Sequence, residues 1–248
     1  MLNAYLQVFL CSYKEQSSQW LSTFSKVIFY LLVLFTYSAM IMHLPNGTAI
    51  VLYIVLTEWI FLSLPETYRE IEREIDRGTF EHQLNNPKSV FWFYIFKGWG
   101  ASLPRATIIL VTGLAFYILK FGLGQGEFKN LPIALLMGCG SILILTVFEQ
   151  SMGYLRFWIH RVQPVVLIWQ KFALILGGVI IPLSLYPEWL KNIAVFTPFY
   201  ISIFKPASMI LKGEADLDSA YFLGLIGWFA LGLTINFALL NAGLRRYR

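Results

Sequence analysis

Residues 65–87 read PETYREIEREIDRGTFEHQLNNP, the longest polar stretch in a chain that is otherwise mostly compatible with lipid. Arg69, Arg73 and Arg77 stand against Glu66, Glu70, Glu72, Glu74, Asp76 and Glu81. Strongly apolar runs flank the stretch on both sides. A dense charge segment between two membrane spans must sit in water, so it forms a loop with its own fold. Tyr68, Ile71 and Ile75 recur at helical spacing, with acids three residues from each of Arg69, Arg73 and Arg77, which predicts a short helix. Gly78 fits just past its end, where positive φ is cheap. Thr79 then suits the cap of a second, very short helix with Glu81 in its first turn, and Asn85-Asn86-Pro87 stops it. Two short helices at a tight corner make a rigid knob, suited to docking in another protein's groove. A solvated interfacial loop with no partner is the other reading of the charges alone.

Composition sets the class. Of 248 residues, 57% are hydrophobic and 13% charged. Ordinary soluble domains carry about 25% charged residues, so the chain is a membrane protein. Aromatics reach 17%, which suits lipid-facing and interfacial surfaces. The formal net charge is +5. No nucleic-acid motif accompanies it, so it is read as retention on the cytosolic side and contact with anionic lipid. Cys11 and Cys139 have no metal spacing and no expected disulfide. No cleavable signal is evident at the start.

Taken in order, residues 1–20 come first. Leu2, Tyr5, Leu6, Phe9, Leu10 and Tyr13 form an apolar stripe that predicts an amphipathic helix lying in the interface. Spans one and two occupy 21–64, joined by a tight turn at His43-Leu44-Pro45-Asn46-Gly47. The polar loop and an aromatic entry segment fill 65–100, and spans three to five fill 101–182. Gly98, Gly100 and Pro104 allow a bend at the start of span three. Span five begins near Val165 and reaches Gly177-Gly178. A mixed segment, 183–218, precedes span six and the basic C-terminus in 219–248. The whole is one transmembrane domain, all-α and polytopic, with six transmembrane helices.

Orientation follows from the basic residues. Lys14, Arg69, Arg73, Arg77, Lys88, Lys97, Arg156, Arg161 and the C-terminal arginines share one set of loops. Lys120, Lys129, Lys191, Lys205 and Lys212 make up the sparser set. The positive-inside rule puts both termini and the Glu66 loop in the cytosol, and the membrane is expected to be the plasma membrane of a prokaryote.

Four charges fall within the spans: Glu58, Arg105, Glu149 and Lys171. Uncompensated charge at bilayer depth costs about 3 kcal/mol or more, so pairing or contact with water is expected. Glu58 with Arg105 is the preferred pair, because their spans are consecutive and their depths similar. The set is read either as structural pairing with snorkelling of Arg105 and Lys171, or as a polar vestibule where substrate enters.

Asp76-Arg77-Gly78-Thr79, then Glu81, Leu84 and Pro87, resembles the cytosolic loop motif of ABC type-2 exporter permeases, usually acid-Arg-Gly-Thr-Leu-Glu followed by Leu and Pro. Phe80 stands where Leu is usual, and His82, Gln83, Asn85 and Asn86 also depart from the pattern. A second patch is similar too: Gly177-Gly178, Pro182-Leu183 and Pro187-Glu188-Trp189, then Pro198-Phe199. The resemblance implies that the Glu66 loop holds a coupling helix between spans two and three, seated in a partner ATPase. It implies coupling roles for Arg69, Glu72, Arg73, Asp76, Arg77, Gly78, Thr79, Glu81 and His82. It also implies short re-entrant outer helices between spans five and six, marked by Pro182, Pro187, Glu188, Trp189 and Pro198. Physically, these prolines forbid one continuous helix. The freed backbone must be buried in protein or face water, either over the outer mouth of a pathway or as a surface loop held by Tyr186 and Trp189 in the aromatic belt.

No G-x-x-x-x-G-K-[ST], H-E-x-x-H or G-x-S-x-G sequence occurs, so no catalytic site is expected on this chain. The expected function is a permease subunit of an ABC exporter. It would move a hydrophobic or amphipathic substrate with ATP and Mg²⁺ bound on nucleotide-binding ATPase subunits, beside a second permease half, identical or homologous. The alternative is an ATP-independent channel or secondary transporter.

Overall fold

The computed structural model describes residues 2–41, 43, 46–84, 89–122, 128–212 and 219–247. Asn85, Asn86 and Pro87, expected to end the knob, lie outside the described residues, as does the His82 side chain. Among the described residues there are helices and no strands. That is the expected solution in lipid, where a helix satisfies its own backbone polar groups.

The chain opens with α1 (Leu2–Ser18), α2 (Trp20–Ile41) and α3 (Gly47–Leu62). The polar stretch forms α4 (Thr67–Asp76) and α5 (Phe80–Leu84). Then come α6 (Val90–Phe121), α7 (Leu131–Tyr154) and α8 (Gln163–Leu176). The last part holds α9 (Glu188–Val195), a π-helical stretch (Tyr200–Phe204) continuing into α10 (Lys205–Lys212), and α11 (Ser219–Tyr247).

Helix α3 is the centre. Val51 through Ile60 are all buried, so the helix is apolar all round because it is surrounded all round. Its neighbours hold it through polar contacts buried in the core. Tyr30 Oη in α2 donates to the Val55 carbonyl at 3.0 Å, and Trp59 Nε1 donates to the Ala106 carbonyl of α6 at 2.9 Å. Tyr53 Oη donates to the Gly178 carbonyl, just past α8, at 2.7 Å. Helices α7 and α10 close the remaining sides. By contrast α2 and α11 expose long apolar faces, including Phe24, Ile28, Phe35, Leu223 and Ile226, as lipid-facing helices do.

Among the described residues, five helices are long and apolar enough to cross a membrane, or six when the bent pair 188–195 and 200–211 is one span. Two details differ from the sequence reading. The aromatic entry segment and span three are a single 32-residue helix, α6. At 1.5 Å per residue it is ~48 Å long, so part of it extends beyond a ~30 Å hydrocarbon core. Helix α8, expected as span five, has only 14 residues, or ~21 Å, too short to cross alone. The path then turns through Gly178, at φ +66°, and the 94° bend between α9 and the next helix.

An elbow and a polar cavity at one end of the bundle

The polar stretch folds as expected, into an elbow. Helix α4 ends with the amide of Gly78 donating to Ile75 O at 3.2 Å and that of Thr79 to Glu74 O at 3.0 Å. Gly78 sits at φ +70°. This paired arrangement satisfies the orphan carbonyls of the last turn and needs left-handed backbone at the glycine. The Thr79 hydroxyl points backward, donating to Glu74 O at 3.3 Å, and Glu81 lies in the first turn of α5.

What fastens the elbow was only partly visible beforehand. Phe80 is fully buried. Its ring stacks on Tyr94 at 6.2 Å and meets Tyr154 and Phe157 edge-on at 6.5 and 5.6 Å. The acids of α4 also point inward. Tyr94 Oη donates to Glu74 at 2.5 Å, and Glu70 pairs with Lys97 of α6. Glu72 accepts the Val162 amide at 2.9 Å, and Asp76 pairs with Arg156 at 2.5 Å. Tyr68 Oη donates to Gln163 Oε1 at 3.0 Å.

The nine residues expected at a docking surface therefore divide. Glu72 and Asp76 are engaged by the protein's own groups, Glu72 half-buried and Asp76 at the surface. Arg69 is exposed but leans on Glu66 at 3.1 Å and on the Tyr68 oxygen at 2.9 Å. Arg73, Arg77, Gly78, Thr79 and Glu81 are exposed. The outward surface thus carries cations from every fourth position and one acid.

The intramembrane charges do not pair as expected. Arg105 Nη1 donates to the Leu64 carbonyl at 3.1 Å, and Nη2 to Gln16 Oε1 of α1 at 2.9 Å. The Glu58–Arg105 pair does not form. Leu64 lies in the break between α3 and α4, where carbonyls lack helical partners and the helix dipole favours a cation. Glu58 is six residues, or ~9 Å, deeper along the axis, where Tyr30 and Tyr37 are its electrostatic neighbours. Arg105 and Glu149 are within electrostatic reach of each other and of Lys26 and Glu66, but no ion pair joins Arg105 to Glu149 among the described residues. Lys26 reaches Glu66 at 3.4 Å. Lys171 stands apart, exposed on α8.

Beside this cluster lies a cavity of about 630 Å³ between α1, α4 and α6. Its wall includes Gln16, Glu66, Arg69, Arg73, Lys97 and Arg105. Helix α1 closes one side. The buried line on α1 is Ser12 and Gln16, continuing from half-buried Tyr5 and Phe9, while Leu6, Leu10 and Tyr13 of its apolar stripe are exposed. Tyr5 stacks on Phe96 at 5.5 Å, and Gly100 lets the backbone of Phe9 approach so closely that a Cβ there would lie 2.3 Å from its carbonyl oxygen. Gln16, Lys26, Glu66 and Lys97 were not singled out from sequence as site residues. The available signal was Ser12 and Gln16, four residues apart and off the apolar stripe.

At the far end, Pro187 precedes α9 and Glu188 lies in its first turn. Pro182 leads into a short 3-10 turn, Leu183–Leu185, and Pro198 opens the helical turn that runs into the π-helical stretch, just after the break at 196–197. Trp189 is 64% exposed, alongside Leu185, Ile193 and Phe196, so α9 presents an apolar outer face. No group of three His, Cys, Asp or Glu is placed to hold a metal among the described residues.

The family model described as ABC-2 family transporter protein matches residues 22–248. No curated protein matches the chain. The match spans the helical bundle, the elbow and the segment around α9 together, so the chain belongs to the ABC-2 transporter family and is a multi-pass membrane permease subunit of that class.

Proposed function

We propose that this chain is the permease half of an exporter driven by separate nucleotide-binding ATPases, which dock on the α4–α5 elbow. The observation that carries this reading is the division of the elbow's charges. Its acids and Phe80 tie it to α6, α7 and the 155–163 segment, while Arg73, Arg77 and Glu81 face outward. A body fastened at several points to spanning helices passes a push to them as a unit, and a surface of exposed opposite charges suits a polar partner groove.

In this reading both termini and the elbow are cytosolic, in the plasma membrane of a prokaryote, in line with the basic residues gathered at that end. Two permease halves, identical or homologous, pair across exposed apolar faces. ATP and Mg²⁺ act on the partner. The cargo is hydrophobic or amphipathic, and the outer α9 segment packs near the exit. Lys26 pairs with Glu66 beside the inner cavity, whose wall also holds Arg105, and this polar wall suits entry from the cytosolic side.

The test is co-expression with a candidate ATPase subunit, followed by co-purification and ATP hydrolysis in lipid nanodiscs. Arg77→Ala and Glu81→Ala are expected to lower cargo-stimulated hydrolysis severalfold while the permease still folds. Transport that persists without any nucleotide would overturn the reading and favour a channel or secondary transporter.

A further inference from the structure

The wall of the elbow-end cavity contains an arginine edge that the chain itself half fills. A guanidinium offers five N–H donors, and its side-on edge, Nε with Nη2, matches two oxygens of one oxyanion. In Arg105, Nη1 is satisfied by Leu64 O and Nη2 by a neutral amide oxygen, Gln16 Oε1. Among the described residues, Arg105 Nε has no hydrogen-bond partner, and neither has Gln16 Nε2. Both residues are 6% exposed and both line the cavity. Two buried donors are thus left without acceptors at one spot, an arrangement that costs free energy unless something supplies oxygen atoms.

We propose that this cavity binds an oxyanion of the phosphate class, whose two oxygens take the Nε–Nη2 edge of Arg105 while the Gln16 amide swings aside and donates its own N–H. The two nitrogens lie beneath the wall, so the oxyanion enters by displacing the Gln16 oxygen. A charged oxygen makes a stronger bond to the guanidinium than the amide it replaces. The acids of the wall do not bar it. Glu66 is held by Lys26 and Arg69, Glu70 by Lys97, and Glu72 by the Val162 amide. Glu15 is exposed at the rim. Arg73 adds an outward cation on the same wall. The volume is within the ~300–1,000 Å³ of small-ligand sites. A phospholipid headgroup and a free phosphate are the two sources of this chemistry. The site belongs to this chain and stands whether or not the bound group is cargo.

The test uses the full chain, purified in detergent without any ATPase, and reads binding by titration calorimetry and by thermal shift. The probes are dihexanoyl phosphatidylglycerol and inorganic phosphate. Saturable binding is expected, and it should weaken about tenfold in Arg105→Lys, which keeps the charge but loses the paired edge. Gln16→Glu places an oxyanion on that edge permanently. It is expected to fold at least as well as the parent and to abolish binding of the added probe, which keeps the test valid if Arg105→Lys fails to fold. Binding of the lipid alone assigns a headgroup, and competition by inorganic phosphate assigns a free phosphate. Absence of saturable binding of either probe overturns the proposal, as does equal affinity in the parent and Gln16→Glu. A failed ATPase docking experiment leaves this outcome untouched.

Discussion

Asp76, the last residue of α4, pairs with Arg156 across a sequence distance of 80 residues, at 2.5 Å. The contact ties the corner of the elbow to the turn between α7 and α8. Both side chains are partly exposed, so its contribution to stability is about 1 kcal/mol or less. Asp76→Asn should therefore shift the melting temperature little. If the elbow couples to an ATPase as proposed, the change should still lower transport, because the elbow loses one fixed point. A charge reversal of both partners, Asp76→Arg with Arg156→Asp, should restore transport, and transport assays on the four forms of the cycle check this.

Phe80 bears a different kind of load. It is fully buried among Tyr94, Tyr154 and Phe157. Phe80→Ala should cost about 3 kcal/mol by loss of packing, measured by denaturant unfolding in mild detergent. Phe80→Leu should cost less than half as much, since most of the volume is kept.

Two glycines separate backbone from steric effects. Among the described residues nothing lies within 4 Å of a Cβ at Gly78, but its φ is +70°, so Gly78→Ala should cost about 1 kcal/mol through backbone conformation alone. At Gly100 the added methyl meets the Phe9 carbonyl at 2.3 Å. Gly100→Ala should push α1 off α6, and limited proteolysis should then cut α1 severalfold faster while the remaining bundle resists.

Glu58 and Arg105 should be energetically independent. Arg105 is spent on Leu64 and Gln16, so exchanging the two charges should not rescue either single mutant. A double-mutant cycle read by thermal unfolding should give a coupling within about 0.5 kcal/mol of zero. A coupling of several kcal/mol would restore the pairing inferred from depth.

Depth along separate helices is a poor guide to pairing, and that explains most of what the sequence misjudged here. Arg105 and Glu58 occupy consecutive spans, yet a long side chain reaches whichever acceptor is least satisfied, here a carbonyl freed where α3 ends. The short α8 was misread as a full span because an apolar run followed by Gly177-Gly178 looks the same whether the chain exits the membrane or turns within the bundle. The intramolecular pairing of Glu72 and Asp76 was equally hidden, since a charge in a water-exposed loop carries no mark of which neighbour it will meet.

By itself the sequence determined the class of the molecule. Apolar runs of sufficient length, basic loops on one side, and a charged helix closed by Gly78 are local properties, set by lipid solvation and backbone geometry, and they need no knowledge of partners. Only the tertiary structure decided that α1 walls a cavity, that Gln16 rather than Glu58 meets Arg105, and that Phe80 is the hidden anchor of the elbow. Those outcomes depend on contacts between residues far apart in the chain, such as Gln16 with Arg105, and such contacts exist only once the helices have packed.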